Sequence, residues 1–568
     1  MIGDARRIVR DTVLTAEICI IGGGAAGITL ALALRDCGLR VLLLESGGLQ
    51  EHAPTQALYE GEVADELLHS PTDKYRQRRF GGSTTIWGGR CVPFDPIDFD
   101  ARPWMPHSGW PISYETVARW YPAANELVEA GTFDYDARTA RSGGMRPMID
   151  GFAPAEFDVD RIERFSCPTD FAGRYRHRLE RSGSVRVLLH ANVTKLQAER
   201  DGARISHAQV QTLDGGRFLV EADQFVVATG GLETPRLLLA SNDVHAAGIG
   251  NGNDLLGRFY MCHIAGTLGT LRLNDTKVWH GYDRAEDGTY CRRRMALTED
   301  AQHAHALGNL VFRLHHPRIP DPAHRTGALS AIYLAKNLIS YEYGKRLAGE
   351  GPTSAGMWLR HVGNLVTDPF GAAGFLAHWV RHRTLAARKF PSVIIRPRAN
   401  LFSLDFHGEQ APLPDSRVRL GTATDALGMP RIHVDWRYSP LDVRTVSTGF
   451  ALLRQEFAES GLGTLSLDPH EADIEAMVRR DGAYGGHHIG TARMGDSPAT
   501  GVVDGNGKVF GVNNLFLAGS AVFPTSSQAN PTLTIVATAL RLADHLRNRA
   551  AVPAEVTTRP PALAESDA

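Results

Sequence analysis

One stretch near the start of this 568-residue chain limits what the chain can fold into. Ile18 to Ile21 is a short apolar run, Gly22-x-Gly24-x-x-Gly27 follows, Ile28 to Leu34 is rich in Ala and Leu without Gly or Pro, and Val41 to Leu44 is apolar again before Glu45 and Ser46. The order reads as strand, glycine turn, helix, strand, the opening of a buried parallel sheet. Gly22 permits the tight turn, and Gly24 leaves no Cβ between the backbone and a pyrophosphate. Gly27 lets helix and strand approach, while the helix N-terminus offers unpaired N–H groups. Glu45 lies 45 − 27 = 18 residues after Gly27, near the spacing at which an acid accepts from a ribose 2′-OH and repels a 2′-phosphate. The stretch predicts a dinucleotide of NAD or FAD type and leaves open which.

Composition narrows the partners. With 43% apolar and 22% charged residues the chain is globular, and its length suits two intimately joined domains. A net charge of −2 gives no electrostatic case for nucleic acid, so small molecules are the expected partners. Cys19, Cys37, Cys91, Cys167, Cys262 and Cys291 are scattered, without the paired spacing of a zinc site or redox dithiol; no metal is expected. The N-terminus is charged throughout and no uncharged 18-residue apolar run follows, which predicts a soluble, cytoplasmic protein.

Further along, Arg79 to Cys91 holds four glycines around Ser-Thr-Thr-Ile-Trp, a composition suited to backbone pressed against a planar ligand. Ser113 is placed to cap a helix with Glu115 in its first turn. Residues 185 to 198 and 205 to 220 alternate like strands of an antiparallel excursion. They lead to a second strand, glycine turn and helix from Asp223, for which Thr234 is the expected N-cap and Pro235 the first helical residue. Residues 266 to 320 and 401 to 437 look strand-rich and suggest a second sheet. Between them, 328 to 390 has a helical pattern with an arginine-rich part from His378 to Lys389. That part reads as a solvated face, with docking to a membrane or partner as the alternative. The tail from Ala551 has little to bury and is expected to be disordered.

Near the C-terminus stand Gly485-Gly-His487-His488-Ile-Gly-Thr491 and Gly519-Ser520 through Asn530-Pro531-Thr532. With the opening unit, Gly81-Gly-Ser-Thr-Thr-Ile-Trp-Gly-Gly, Gly109-Trp-Pro-Ile-Ser-Tyr114, Leu256 to His263 and Glu409 to Leu420, these blocks resemble the glucose-methanol-choline flavin oxidoreductases, nearest their pyranose-oxidase branch. The resemblance spans about Ala16 to Leu546. It implies an α/β (α+β overall) fold: a Rossmann-like FAD domain over 1–100, 185–265 and 485–550, and a substrate domain with an antiparallel sheet over 101–184 and 266–484. The stretch 328–390 matches no core block of the family and reads as an insertion serving as lid, oligomer contact or docking surface.

The same resemblance implies the chemistry, a CH–OH oxidation in which His487 is the base and hydride passes to flavin N5. Asn530, 43 residues on (530 − 487), holds the substrate oxygen, and neutral imidazole titrating near working pH suits the base role. His488 competes for it, although neighbours on an extended strand face opposite ways. Cofactor contacts carry over to Gly22, Gly24, Ala25, Ala26, Gly27, Glu45, Ser46, Gly82, Ser83, Trp87, Gly88, Val193, Ala228, Gly519, Ser520, Asn530, Pro531 and Thr532, the last three opening a helix aimed at the flavin. Where the pyranose-oxidase pattern has a histidine bonded to FAD, this chain has Ile86, which implies noncovalent FAD. The leading expectation is oxidation of a secondary alcohol of a sugar or glycoside, against a nonsugar alcohol or a noncatalytic flavin-binding protein. Oxygen, or a quinone or dye-like compound, is the expected acceptor.

Overall fold

The computed structural model describes residues 1–274, 276–336, 354–395, 400–467 and 473–551. Strand β1 (Val13–Ile21) buries its last four residues, passes through the glycine turn into helix α1 (Ala25–Ala33), and is followed by the fully buried β2 (Val41–Leu44). Burial on both faces is why these strands are continuous apolar runs. β1 pairs in parallel with β2 on one side and with β3 (Arg217–Val227) on the other, Ile21 lying opposite both Leu44 and Val227. Strand Leu515–Leu517, nearly three hundred residues later, adds to β3 in parallel. The ends of β1, β2 and β3 therefore converge on the glycine turn.

Two local expectations are corrected. Val185–Leu189 is not part of the antiparallel excursion: it pairs in parallel with β2, because four of its five residues are buried, and His190 at φ +61° breaks the chain before the next strand. Only Asn192–Ala198 and Ile205–Gln211 form the excursion into β3. Second, helix α2 spans Gly230–Ala240, so Thr229, not Thr234, is the capping residue and Pro235 lies inside the helix. Proline there cannot donate to the Gly231 carbonyl four residues back. The Thr491 hydroxyl donates to that carbonyl instead, at 2.6 Å, so a distant residue removes the cost of the misplaced proline.

The second sheet is antiparallel. Its central strand β4 (Met261–Leu273) lies between Gly463–Ser466 and β5 (Leu401–Glu409), which continues to Leu310–His315. β6 (Ala483–Ile489) also pairs with β4, with a register shift between Met261 and His263. Gly486, at φ +62°, lies within the shifted run, and a Cβ there would meet Tyr75 at 2.3 Å. The sheet is tied to the loop after Phe99 by a buried two-pronged ion pair in which Arg102 donates to Glu409 at 2.7 and 2.6 Å. Helices Tyr114–Ala118, Tyr121–Leu127 and Phe171–Glu180 fall in the 101–184 span expected to accompany this sheet, yet bury Val117, Tyr121, Phe171 and Leu179 in the core of the first. Their apolar faces meet α1 and the C-terminal helix.

Between Leu310–His315 and β5 the chain forms α3 (Ala355–Thr367) and α4 (Pro369–Trp379). Asp368 joins them and accepts from the N–H groups of Gly327 (2.9 Å) and Gly371 (3.2 Å). Residues 337–353 of the helical stretch, and the tail after Ala551, lie outside the described residues. Helix α5 (Thr532–Ala551) follows the Asn530-Pro531 turn and packs on α1. Among the described residues, no helix is long and apolar enough to cross a membrane.

Candidate active site

A single cavity of about 1460 Å³ is lined from both sheets. At one end stand Gly22, Gly24, Ala25, Ala26, Glu45, Ser46, Val193 and Ala228; Gly82, Ser83, Ile86, Trp87 and Gly88 line it, as do Gly519, Ser520 and Asn530 to Thr532. Of the cofactor positions read from the sequence only Gly27 is outside the lining, and its task is packing: a Cβ there would lie 1.9 Å from the Gly22 carbonyl oxygen. Gly22 takes φ +106° and has room for no side chain against Ala228, whereas the Gly24 Cα faces open space at the N-terminus of α1. A glycine cradle closed on its protein side and open on its cavity side suits a pyrophosphate. Glu45 accepts from the Gly23 and Gly47 N–H groups at 2.8 and 2.7 Å, one to each carboxylate oxygen. Lone pairs remain on both oxygens for a ribose hydroxyl.

The histidine pair separates as strand geometry requires. His487 points into the cavity, its Nε2 3.2 Å from the Asn530 amide nitrogen and its Nδ1 2.9 Å from Nδ1 of His263. His488 also borders the cavity, but its Nδ1 is directed elsewhere, 2.6 Å from the Tyr260 hydroxyl, which is in turn 2.7 Å from His69. The bulge in β6 and the left-handed Gly486 set this division.

Sequence reasoning missed the support behind His487. Ala265 pairs with His407 across β4 and β5, which puts His263 and His407 diagonally on one face. Their rings stack at 4.3 Å and 29°, and the His263 ring meets His487 edge-on at 4.8 Å. His407 Nδ1 donates to the Gln528 carbonyl at 2.5 Å, while Gln528 is held by Arg294 (2.9 Å) and Asp95 (3.2 Å). The network assigns protons: Asn530 donates to His487 Nε2, so neutral His487 carries its proton on Nδ1 and donates it to His263. His263 Nε2 then bears the remaining proton and makes no aligned hydrogen bond, though the Ser526 and Ala529 carbonyls favour it. His263 closes the block Leu256 to His263, but nothing in that block marks it as a partner of His487, since the three histidines are joined only by register.

The expectation that His487 titrates near neutrality is also corrected. Burial, then the charge of Arg90, lowers it to about 4. Burial pushes His263, His407 and His488 well below the ordinary histidine value, with neighbouring His487, His263 and Arg76 respectively the next largest cause. These imidazoles are neutral at physiological pH. Two histidine clusters carry metal-binding atom types, His263/His407/His487 and His69/Cys262/His488. In the second the Tyr260 hydroxyl bonds to all three side chains, filling the place a metal would take. Arg76 and Arg78, which belong to none of the blocks read from the sequence, also line the cavity, paired with buried Glu233 at 3.0 Å each.

Residues 412–539 match the family model described as GMC oxidoreductase, and residues 17–58 match the FAD binding domain. The chain is a GMC oxidoreductase. This GMC oxidoreductase is 24% identical to 2-methyl-1,2-propanediol dehydrogenase of Mycolicibacterium austroafricanum, over 94% of its own length and 95% of the relative's. It is 26% identical to the fructose dehydrogenase large subunit of Gluconobacter japonicus, over 94% and 98%. Its fold matches an FAD-dependent oxidoreductase from Chaetomium thermophilum with a TM-score of 0.53 at 18% identity, covering 94% of this chain and 99% of that one. It is an FAD-dependent oxidoreductase whose glycine cradle and C-terminal turn fit that cofactor.

Proposed function

We propose that this GMC oxidoreductase oxidises a secondary alcohol of a sugar or glycoside to a ketone, with His487 as base and Asn530 as the group that orients the hydroxyl. The observation that carries this reading is the 3.2 Å approach of His487 Nε2 and the Asn530 amide, both lining the cavity. One hydroxyl oxygen can then accept from the amide N–H while its own proton is donated to Nε2. FAD, when bound, supplies the two-electron acceptor. His263 accepts from Nδ1 and so keeps the Nε2 lone pair directed at the substrate. A base lowered to about 4 is weak, but it is neutral throughout the physiological range and releases a captured proton readily. His488 is engaged with Tyr260 and has no part in this step. The sugar assignment is supported by the relative named for fructose and by the block resemblance to the pyranose-oxidase branch.

A nonsugar alcohol is the second reading, favoured by the apolar Met357, Phe375, Leu376 and Trp379 in the cavity wall and by the relative named for a diol. Anaerobic mixing of the yellow protein with monosaccharides, glycosides and short diols decides between them. Bleaching of the flavin band by sugars supports the first reading, bleaching by diols alone supports the second, and bleaching by none overturns both. Ile86 lines the cavity without a nucleophilic atom, and we infer that FAD is held noncovalently. Acid precipitation should leave all yellow colour in the supernatant; colour retained in the pellet would refute this.

A further inference from the structure

The helical insertion presents a surface unlike the rest of the molecule. Among the described residues fourteen large apolar side chains are exposed, and seven of them lie between Trp358 and Leu385. Phe370 is 89% exposed, Val366 72% and Leu359 63%. On α3, Trp358, Leu359, Val362 and Val366 fall within about 100° of arc, one apolar stripe in which Val362 is half-buried and the other three are exposed. Of residues 354 to 380, only His361 and Asp368 are buried. A pair of helices in an ordinary globular surface would bury such a stripe.

Charge indicates what covers it. Residues 354 to 390 contain Arg360, Arg381, Arg383, Arg388 and Lys389 against the single carboxylate of Asp368, a formal +4, and the whole chain carries −2, so everything else carries −6. Asp368 is itself buried as the cap of α4, which leaves Arg360, Arg381 and Lys389 exposed beside the apolar side chains. A second copy docking through this face in a two-fold dimer would set +4 against +4. An anionic lipid headgroup layer complements both features, taking apolar side chains below the headgroups and cations among them.

We propose that α3 and α4 seat this enzyme peripherally on an anionic lipid bilayer, with the cavity mouth turned toward the membrane. Met357, Arg360, Leu376 and Trp379 belong both to this hairpin and to the cavity lining, and Arg383 just after α4 lines it too, so the docked face is also the rim of the active-site entrance. An apolar alcohol or a lipid-soluble acceptor such as a quinone then reaches the site from the bilayer rather than from bulk water. The proposal is independent of which alcohol is oxidised.

The test is cosedimentation of the full-length FAD-loaded protein with phosphatidylcholine vesicles, with and without one-third phosphatidylglycerol. The double substitution Leu359→Ser with Phe370→Ser and the charge reversal Arg381→Glu are compared, none of these residues lining the cavity. Wild type should bind the anionic vesicles and release severalfold as salt rises from about 0.05 to about 0.5 M. The apolar double variant should lose binding by about tenfold or more, while flavin reduction by a soluble substrate stays unchanged. Absence of binding to any vesicle, or equal binding by wild type and both variants, overturns the proposal. So does light scattering that shows a dimer dissociated by the same substitutions, or a stoichiometric protein partner displaced by them.

Discussion

Replacing His263 with leucine isolates the least visible part of the proposed mechanism. His263 does not line the cavity, and its one assigned task is to accept the Nδ1 proton of His487 across 2.9 Å. Leucine has similar volume and no acceptor, so the buried Nδ1–H is left unsatisfied, at a cost of about 1–3 kcal/mol. The proton then shifts to Nε2, the Asn530 amide turns its oxygen to receive it, and the lone pair that must meet the substrate hydroxyl is lost. If the whole cost falls on the base-competent tautomer, flavin reduction slows by about 5- to 150-fold, with little change in KM. His263→Gln keeps an acceptor within reach and should recover most of the rate. Anaerobic stopped-flow bleaching at saturating substrate reads both variants, and the ratio of flavin to protein absorbance checks that neither has lost cofactor. A leucine variant that reduces its flavin at the wild-type rate, or a glutamine variant as slow as the leucine one, refutes the tautomer reasoning.

Three further outcomes are expected. His487→Ala should lose about 10²- to 10⁴-fold in flavin reduction, whereas His488→Ala, which removes the hydrogen bond to Tyr260 and the ring packing against His69, should keep its rate within about tenfold; the reverse order in the same stopped-flow assay would move the base to His488. Because the folded protein lowers His487 from 6.5 to about 4 and lowers His263, His407 and His488 as well, the unfolded chain takes up protons that the folded one refuses. The histidine contribution to stability is therefore present above pH 6.5 and lost as pH falls from there toward about 4, opposed over the same range by Asp98 and Asp442, which burial raises to about 8 and about 7; the thermal midpoint of His263→Leu should fall less steeply with acid than that of wild type, and equal slopes would contradict the burial of this ring. Gly27→Ala places a Cβ 1.9 Å from the Gly22 carbonyl oxygen, so the turn must open and the purified protein should be colourless or insoluble; normal flavin content in the soluble variant would show that the cradle tolerates the shift.

How much of the site could be read from the sequence depended on the kind of contact that builds each part. The glycine turn was legible because Gly22, Gly24 and Gly27 act through backbone conformation and close approach, which leave their mark on residue type itself. His487 and Asn530 were legible as neighbours in their own motifs, 43 residues apart. His263 and His407 were not, because 144 residues separate them and only the β4–β5 register brings them together. The low proton affinity of His487 was equally hidden, since it comes from burial and from Arg90 rather than from its flanking residues. The error at α2 shows how the two kinds of contact meet. Pro235 read as a helix start because a proline deeper in a helix strands a carbonyl, and locally nothing receives it. Thr491 receives it, four residues after His487, and the His488 carbonyl that lies between accepts from Ser520 of the cofactor-side turn at 2.7 Å. The four-residue spacing in His487-His-Ile-Gly-Thr491 therefore serves the scaffold as well as the chemistry. It joins the base to the start of α2 and to the C-terminal turn through two hydrogen bonds that hold the same short run of backbone.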